Sequence, residues 1–352
     1  MTMLDVAKLA KVSQSTVSRV VSGQSGVSPE VVRSVQEAIH ELGYKPAPVH
    51  KRRGRRISPE DLDCVVLLWT SNHMFDLYSS VGHALTRSVA LELESHNLGM
   101  VLSYVVDKQR VPEFVARGRV RGAIVTGHNP NQELLDNLTR IPHVWINSHA
   151  SRKGEVVLSG NEYVGRLAAE HLLGRGHQHF AVLNMLPDAA AMARTRFFRF
   201  VVEESQKTCL AYIGAEEMDR VCASDIDMDW FESRVEALVD RLLAETDRPT
   251  GLFVPSDFQT AMVYRVLAKR GVRVGVDMEL VSTDHEKGAL MGLYPRPATI
   301  DLAPCAMGRN AVANLMARLD QSSDDHAQVL LDPKLYPGDV LRSDWDRGAK
   351  ML

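Results

Sequence analysis

The sequence LDVAKLAKVSQSTVSRV, residues 4–20, decides the fold of the amino-terminal part of the chain. Apolar residues recur at helical spacing on both sides of a short break at residues 11–13, which predicts two helices joined by a tight turn. Thr2 and Asp5 have the spacing of a capping box, with aspartate in place of the usual glutamate. The first helix should therefore begin after Thr2 and end near Ala10.

Two further start signals complete this region. Ser13 is a favoured N-cap residue and predicts a second helix over Gln14 to Val21. The dipeptide Ser28-Pro29 starts a third helix, because proline suits the first helical position, and Gly43 ends it. Three short helices, the first two joined by a tight turn, are typical of a helix-turn-helix.

Residues 4–20, followed by VS at 27–28 and LGYKP at 42–46, resemble the DNA-binding head of the LacI/GalR family of bacterial transcription regulators. Lys11 departs from that family, which usually has glycine at this turn. A lysine there must adopt a backbone that favours glycine, at a modest cost. The resemblance implies a helix-turn-helix DNA-binding domain over residues 1–46.

The resemblance also implies which side chains meet DNA. The base-reading positions of the family fall on Gln14, Ser15 and Arg19. Arginine can donate two hydrogen bonds to guanine, glutamine pairs similarly with adenine, and serine is adaptable. Contacts to phosphate, which fix the register without reading sequence, fall on Ser13, Thr16 and Ser28. The alternative is that these polar residues only solvate one helix face.

The distribution of charge supports a polyanionic partner for the head. The net charge of the chain is −3, but residues 1–58 hold ten Lys and Arg against four Asp and Glu. The remaining residues hold 31 basic and 40 acidic side chains. A basic head on an acidic body predicts that double-stranded DNA contacts the head alone.

The linker over residues 47–62 departs from the family pattern. Relatives continue into a hinge helix whose leucine enters the minor groove, and Arg53 stands at that position here. Pro48 and Gly54 oppose a helix, so a flexible basic arm is expected. The run RGR at residues 53–55 also resembles an AT-hook, which lies in narrow minor grooves. The arm would supply Arg52, Arg53, Arg55 and Arg56 to the minor groove. A linker that binds phosphates without sequence preference is the alternative.

The rest of the chain alternates short apolar runs with amphipathic stretches, which predicts parallel sheets covered by helices on both faces. Its length of about 290 residues favours two α/β lobes. Strands are predicted at 64–68, 100–105, 122–125, 143–146, 179–184, 251–254 and 280–282. Helices are predicted at 79–95, 131–139, 163–175, 194–204, 230–246 and 260–270.

Several segments of this region, among them residues 161–173, 281–284 and 297–300, resemble the periplasmic-binding-protein-like effector domain of the same family. The resemblance implies a two-lobed effector-binding and dimerisation domain over residues 63–352. It further implies three crossovers between the lobes, expected near residues 158, 287 and 322. A small effector, a sugar or sugar derivative, would bind in the cleft between the lobes.

Four residues are expected to contact the effector. Arg196 and Asp284 align with the arginine and the acid by which the family binds ligands, while Asp257 follows a strand and Phe75 follows the first strand. Guanidinium and carboxylate groups form hydrogen bonds with hydroxyl groups, and an aromatic side chain can cover the apolar face of a sugar ring. These residues therefore favour a polyol as the effector. Asp257 as a helix cap, Phe75 as core and Arg196 as an ion-pair partner are the alternatives. Three departures from the family suggest an anionic ligand: Gly160, Asn147 and Arg199.

Other classes of function find little support. No apolar run approaches the length of a membrane span and no secretory signal is present, so a cytoplasmic location is expected. No motif predicts a catalytic residue, a metal site or a cofactor, and the four cysteines are scattered. We expect a homodimeric, effector-controlled transcription regulator, for example a repressor. The alternatives are a regulator with a degenerate cleft, a solute-binding protein and, least favoured, an enzyme.

Overall fold

The computed structural model describes nine segments of the chain, and the fold below refers to these. They are residues 2–21, 27–44, 63–70, 79–105, 112–127, 132–147, 155–214, 228–320 and 328–339. The chain divides into two compact units, residues 1–58 and 59–352. We call the first unit the head and the second the body, and each is described by itself.

The head contains the three predicted helices, which are α1 (Met3–Leu9), α2 (Gln14–Val21) and α3 (Pro29–Glu41). The capping box is confirmed, because Thr2 and Asp5 exchange side-chain to backbone hydrogen bonds at the start of α1. One residue from each helix is fully buried in the common core, namely Val6, Val17 and Val35. The local start and stop signals therefore predicted this unit almost to the residue.

The turn between α1 and α2 has the glycine-like backbone conformation that was expected at Lys11, where the resembled family usually has glycine. Lys11 has φ of +54°, in the left-handed region that favours glycine. The N–H of Val12 bonds to the carbonyl of Ala7 at 3.0 Å, and that of Lys11 bonds to Lys8 at 3.3 Å. These two bonds form a Schellman motif, which ends α1 and directs the chain into α2.

Replacing Lys11 with glycine is expected to stabilise the head by about 0.5–1 kcal/mol. Relief of the left-handed strain, about 1–2 kcal/mol, exceeds the entropy lost by a more flexible unfolded chain, about 0.4–1 kcal/mol. Native-state hydrogen exchange of α1 and α2 amides in the full chain measures the change. Lys8→Gly, inside α1, is the control and should destabilise the head by about 1 kcal/mol. Faster exchange in Lys11→Gly than in wild type would contradict the prediction.

The body contains twelve strands and nine helices in the segments described above. The strands are β1 (Cys64–Trp69), β2 (Gly99–Tyr104), β3 (Gly122–Thr126), β4 (His143–Ile146), β5 (Glu155–Ser159), β6 (His179–Asn184), β7 (Thr208–Ile213), β8 (Gly251–Phe253), β9 (Glu279–Thr283), β10 (Ala298–Asp301), β11 (Gln328–Leu331) and β12 (Lys334–Tyr336). The helices are α4 (Ser80–Ser95), α5 (Glu113–Ala116), α6 (Gln132–Leu138), α7 (Asn161–Gly174), α8 (Ala189–Glu204), α9 (Met228–Leu243), α10 (Asp257–Lys269), α11 (Lys287–Leu290) and α12 (Pro304–Leu319).

The strands form two six-stranded sheets, one in each lobe. Lobe 1 has the order β11-β5-β4-β3-β1-β2, and every pairing in it is parallel. Lobe 2 has the order β12-β10-β9-β8-β6-β7, in which only β12 is antiparallel among the described strands. The predicted two-lobed α/β architecture is confirmed. The seven predicted strands and six predicted helices are present, whereas five strands (β5, β7, β10, β11 and β12) and three helices (α5, α11 and α12) were missed.

Two of the three predicted crossovers were misplaced. The first lies at Gly160, close to the expected residue 158, where β5 of lobe 1 leads into α7 of lobe 2. The second lies at residues 302–303 rather than 287, because β9 and β10 belong to the same sheet. The third lies at residues 332–333, because α12 packs on lobe 1 and β11 adds to the lobe 1 sheet.

A glycine sets how closely α7 and α8 pack in lobe 2. A Cβ atom on Gly165 would lie 2.4 Å from the carbonyl oxygen of Arg194 and 2.8 Å from the backbone nitrogen of Phe198. Only glycine therefore permits this approach between the two helices. The contact fixes the height of α8 above the sheet and, with it, the position of the Arg194 side chain.

Candidate functional site

The exposed face of α2 carries the three residues expected to read bases. Gln14, Ser15 and Arg19 are all exposed, whereas Val17 of the same helix is fully buried. Ser15 and Arg19 lie one helical turn apart, so their side chains project from the same face. Their contact with bases remains a prediction.

The residues expected to bind phosphate lie at helix starts. Ser13 caps α2, since its Oγ accepts a hydrogen bond from the backbone of Thr16 at 3.1 Å and lies 2.8 Å from the Thr16 hydroxyl. Ser28 is the exposed N-cap residue of α3. Backbone N–H groups at such ends suit phosphate oxygens. The arginines expected in the minor groove, Arg52, Arg53, Arg55 and Arg56, lie outside the described residues.

A buried arginine lies at the carboxyl ends of the lobe 2 strands. Nη1 of Arg194 donates to the Pro255 carbonyl at 3.0 Å and to Thr283 Oγ1 at 2.9 Å. The same nitrogen is 3.5 Å from the carboxylate of Asp284. Ligands of open α/β sheets bind beyond the carboxyl ends of strands, which is where this arginine lies.

A chain of polar side chains continues from Arg194 to lobe 1. Nε of Arg194 donates to Oδ1 of Asn161 at 2.7 Å. The hydroxyl of Ser159 lies 3.3 Å from that same oxygen and 3.1 Å from Oδ1 of Asn147. Asn147 follows β4, and Ser159 is the last residue of β5. Both strands belong to lobe 1. Polar groups from both lobes therefore meet at the first crossover.

Asp284 provides an acceptor beside Arg194. Its backbone has φ of +102°, and that of His285 has φ of +51°, so two consecutive residues are held in conformations that favour glycine. Burial raises the pKa of Asp284, and the charge of Arg194 opposes that rise. The predicted position of Asp284 in the cleft agrees with this geometry, while ligand contact remains a prediction.

The expectation that Asp257 faces a ligand is wrong. Asp257 begins α10 and is fully buried, and both carboxylate oxygens accept hydrogen bonds from the protein. Oδ1 accepts from the hydroxyls of Ser282 and Thr299, and Oδ2 accepts from the backbone of Glu286 at 2.6 Å. Burial, together with the charge of Asp284, raises the pKa of Asp257 well above its usual range. Asp257 therefore organises the loop that carries Asp284.

The structure does not bring Arg196 together with Asp284, because Arg194 is the arginine beside that acid. Arg196 is exposed, and its Nε donates to the Met192 carbonyl one turn earlier on α8. Residues two positions apart on a helix point about 200° apart, so Arg194 and Arg196 occupy opposite faces. Arg199, taken as an added base in the pocket, instead pairs with Glu203 at 3.0 Å on the exposed surface. Phe75 lies outside the described residues.

A pattern in the sequence could have identified Arg194. The buried stripe of α8 includes Ala191, Phe198 and Val202, and Arg194 is in phase with that stripe. An arginine within a buried stripe needs partners, because a charge is costly to bury unpaired. That requirement marks Arg194, rather than Arg196, as the arginine with a specific role.

A second buried ion cluster lies at the opposite end of lobe 2. Glu279 begins β9, and its carboxylate accepts a hydrogen bond from Arg175 Nε at 2.8 Å. Nε2 of His177 lies 3.0 Å from the carboxylate and Nε2 of His171 lies 3.4 Å from it. Arg175 and His177 are themselves buried. The cluster therefore lies at the end of the strands opposite to Arg194, and we expect it to contribute to stability.

The described segments lack two other kinds of functional feature. No helix in them has both the length and the apolar character to cross a membrane. Within the same segments, no group of three or more His, Cys, Asp or Glu side chains is arranged to hold a metal ion.

Comparison with protein families identifies both units. Residues 2–47 match the model of bacterial regulatory proteins of the lacI family. Residues 169–339 match a periplasmic binding protein-like domain. Together the two models account for most of the chain, in the order that the sequence resemblance implies.

Relatives and solved structures match over almost the full length. HTH-type transcriptional repressors PurR of Pasteurella multocida and Haemophilus influenzae are 24% and 26% identical, and each match covers 95% of this chain and 96% of the relative. The fold is similar to that of the transcriptional regulator CelR–cellobiose complex (TM-score 0.68, 23% identity, covering 96% of this chain and 99% of that one). It is also similar to the lac repressor dimer bound to operator and an anti-inducer (TM-score 0.64, 21% identity, 96% and 98%). The chain thus combines a lacI-family DNA-binding head with a periplasmic binding protein-like domain, the domain pair of LacI-family transcription regulators.

Proposed function

We propose that the chain is a homodimeric repressor whose affinity for an operator is set by a neutral carbohydrate bound between the two lobes. The observation that carries this proposal is the buried pair of Arg194 and Asp284 at the carboxyl ends of the lobe 2 strands. We assign residues 1–46 to operator binding, 47–62 to the basic linker, and 63–352 to effector binding and dimerisation.

The head would read the operator with α2. Gln14, Ser15 and Arg19 project into the major groove, and a dimer would place two such helices in successive grooves of a pseudo-palindromic site. The backbone and hydroxyls of Ser13, Thr16 and Ser28 would bind phosphates. The exposure of Ser13, Gln14 and Ser15 at the start of α2 supports this assignment.

The charge balance of the cleft favours a neutral effector. The guanidinium of Arg194 is already balanced by Asp284, and Glu286 adds a further half-buried carboxylate. Arg199, the base that suggested an anionic ligand, lies outside the cleft. Carboxylates accept hydrogen bonds from hydroxyls and repel anions, so a polyol fits better than a uronate.

Similar structures support a carbohydrate. The CelR structure is a complex with cellobiose, and a LacI family regulator of Enterococcus faecium, with a TM-score of 0.63, holds bound ribose. Both are neutral sugars. In this chain Asp284 would accept from sugar hydroxyls, and Arg194 would donate to a hydroxyl or ring oxygen.

The terminal strand of the lobe 1 sheet supports a dimer. Val101, Leu102 and Tyr104 of β2 are exposed, and so is Leu91 of α4, which packs beside β2. Among the described strands β2 forms one edge of its sheet. An apolar edge needs a cover to avoid unspecific pairing, and a second copy of this chain would provide it.

Replacing Arg19 with alanine is expected to weaken operator binding by about 5- to 150-fold, since a bidentate contact to guanine is worth about 1–3 kcal/mol. Genomic fragments selected by the full chain supply the operator, and gel shifts at fixed salt measure affinity. Arg33→Ala, which removes an equally exposed arginine from α3, is the control and should retain base preference. Equal losses on operator and random DNA in Arg19→Ala would contradict base reading.

A further inference from the structure

One hydrogen bond crosses from lobe 2 to lobe 1 through Glu286. Its Oε1 accepts from the backbone N–H of Ser80 at 2.9 Å. Ser80 is the first residue of the 16-residue helix α4, whose N-cap Ser79 accepts from the N–H of Gly82. A helix start offers unpaired N–H groups and a positive dipole end, so a carboxylate there is well placed.

The loop that carries Glu286 is held by the buried carboxylate of Asp257. The N–H of Glu286 donates to Asp257, whose other contacts come from Ser282 and Thr299 on β9 and β10. Asp284 precedes Glu286 by two residues, and the intervening backbone is strained at Asp284 and His285. A shift of Asp284 toward a ligand therefore reaches Glu286 through a short, tightly held segment.

We propose that Glu286 is a positioning residue of the effector response, which holds the two lobes closed by capping α4. The hydrogen bond can form only when the lobe 2 loop lies against the first turn of α4, so it distinguishes the closed arrangement from an open one. A contact made in one state alone shifts the equilibrium toward that state. The idea that a ligand controls this contact rests on the proposed function. The idea that Glu286 holds the lobes closed is independent of it.

Electron–electron distance measurements on the full chain without ligand test lobe closure directly. Spin labels at the exposed positions Glu94→Cys on α4 and Glu204→Cys on α8, with the four native cysteines replaced by alanine, report the separation of the lobes. Glu286→Ala is expected to lower the ratio of closed to open molecules by about 10-fold or more, the effect of losing a charge-assisted hydrogen bond.

Ser80 provides a matched pair of variants. Ser80→Pro removes the N–H donor at the first helical position, where proline is favoured, and the extended backbone of Ser79 accommodates it. It should shift the distances as Glu286→Ala does, and the double variant should add nothing. Ser80→Ala keeps the N–H and should match wild type. The proposal would be overturned if the distances between the spin labels were unchanged in Glu286→Ala. It would also be overturned if they were unchanged in a Ser80→Pro variant that melts at the same temperature as wild type. A variant that only loses carbohydrate binding would show unchanged distances between the spin labels, because the measurement is made without ligand.

Discussion

Replacing Glu279 with glutamine is expected to lower the free energy of unfolding of the body by about 3–5 kcal/mol, the cost of removing one partner from a buried ion pair. The Glu279 side chain is 14% exposed and that of Arg175 is 9% exposed. The variant would leave the Arg175 guanidinium buried without its counter-charge. Urea unfolding of the full chain at pH 7, followed by far-UV circular dichroism, measures the loss.

Glu170→Gln is the matched control, since it makes the same chemical change one residue from His171. Glu170 pairs with Arg166 at 3.6 Å, and both side chains are about half exposed. Pairs of this kind contribute about 0–1 kcal/mol. If the two variants lost similar amounts of unfolding free energy, the buried Glu279 cluster would stabilise the body no more than an exposed ion pair does.

The same carboxylate makes stability depend on pH. Burial alone would raise the pKa of Glu279, but the nearby imidazoles of His171 and His177 and the charge of Arg175 outweigh it and lower the pKa to about 2. The usual value is 4.5, so the contribution is complete above that pH and is lost as the pH falls toward 2. The difference between wild type and Glu279→Gln should therefore shrink over this range, by about 3 kcal/mol.

The head was predictable because its determinants are local. The capping box of Thr2 and Asp5, the N-cap Ser13 and the proline at position 29 each act within one helical turn. The left-handed backbone at Lys11, by contrast, was implied by the glycine that the resembled family has at this turn. Signals that act within a few residues can be interpreted without knowing the tertiary structure.

The body was predictable only in part, because its errors concern contacts between distant residues. β10 pairs with β9, and α12 packs on lobe 1. No local sequence pattern indicates these two contacts, and for that reason two crossovers were misplaced. The strands that were missed include three-residue β12 at a sheet edge, too short to show alternation. Asp257 was placed in the cleft because a polar residue after a strand often binds ligand, yet its partners Ser282 and Thr299 lie 25 and 42 residues away.

The two arginines of α8 allow a sharp test of the effector site. Arg194→Met is expected to weaken carbohydrate binding by about 10- to 150-fold, because hydrogen bonds to a charged group are worth about 1.5–3 kcal/mol. Methionine keeps the apolar stem and removes the guanidinium. The shift in melting temperature of the full chain, relative to each variant's own baseline, measures binding of cellobiose, ribose, glucose, glucuronate and adenine.

Arg196→Met makes the identical substitution two residues along the same helix, where the side chain is exposed, and should bind like wild type. Asp284→Asn keeps the volume but removes the charge, and it should weaken neutral sugars while improving glucuronate. These signs follow from the carboxylates of Asp284 and Glu286, which outnumber the single guanidinium. Stabilisation of wild type by glucuronate or adenine alone would contradict a neutral carbohydrate. A loss in Arg196→Met equal to that in Arg194→Met would contradict the assignment of the buried arginine.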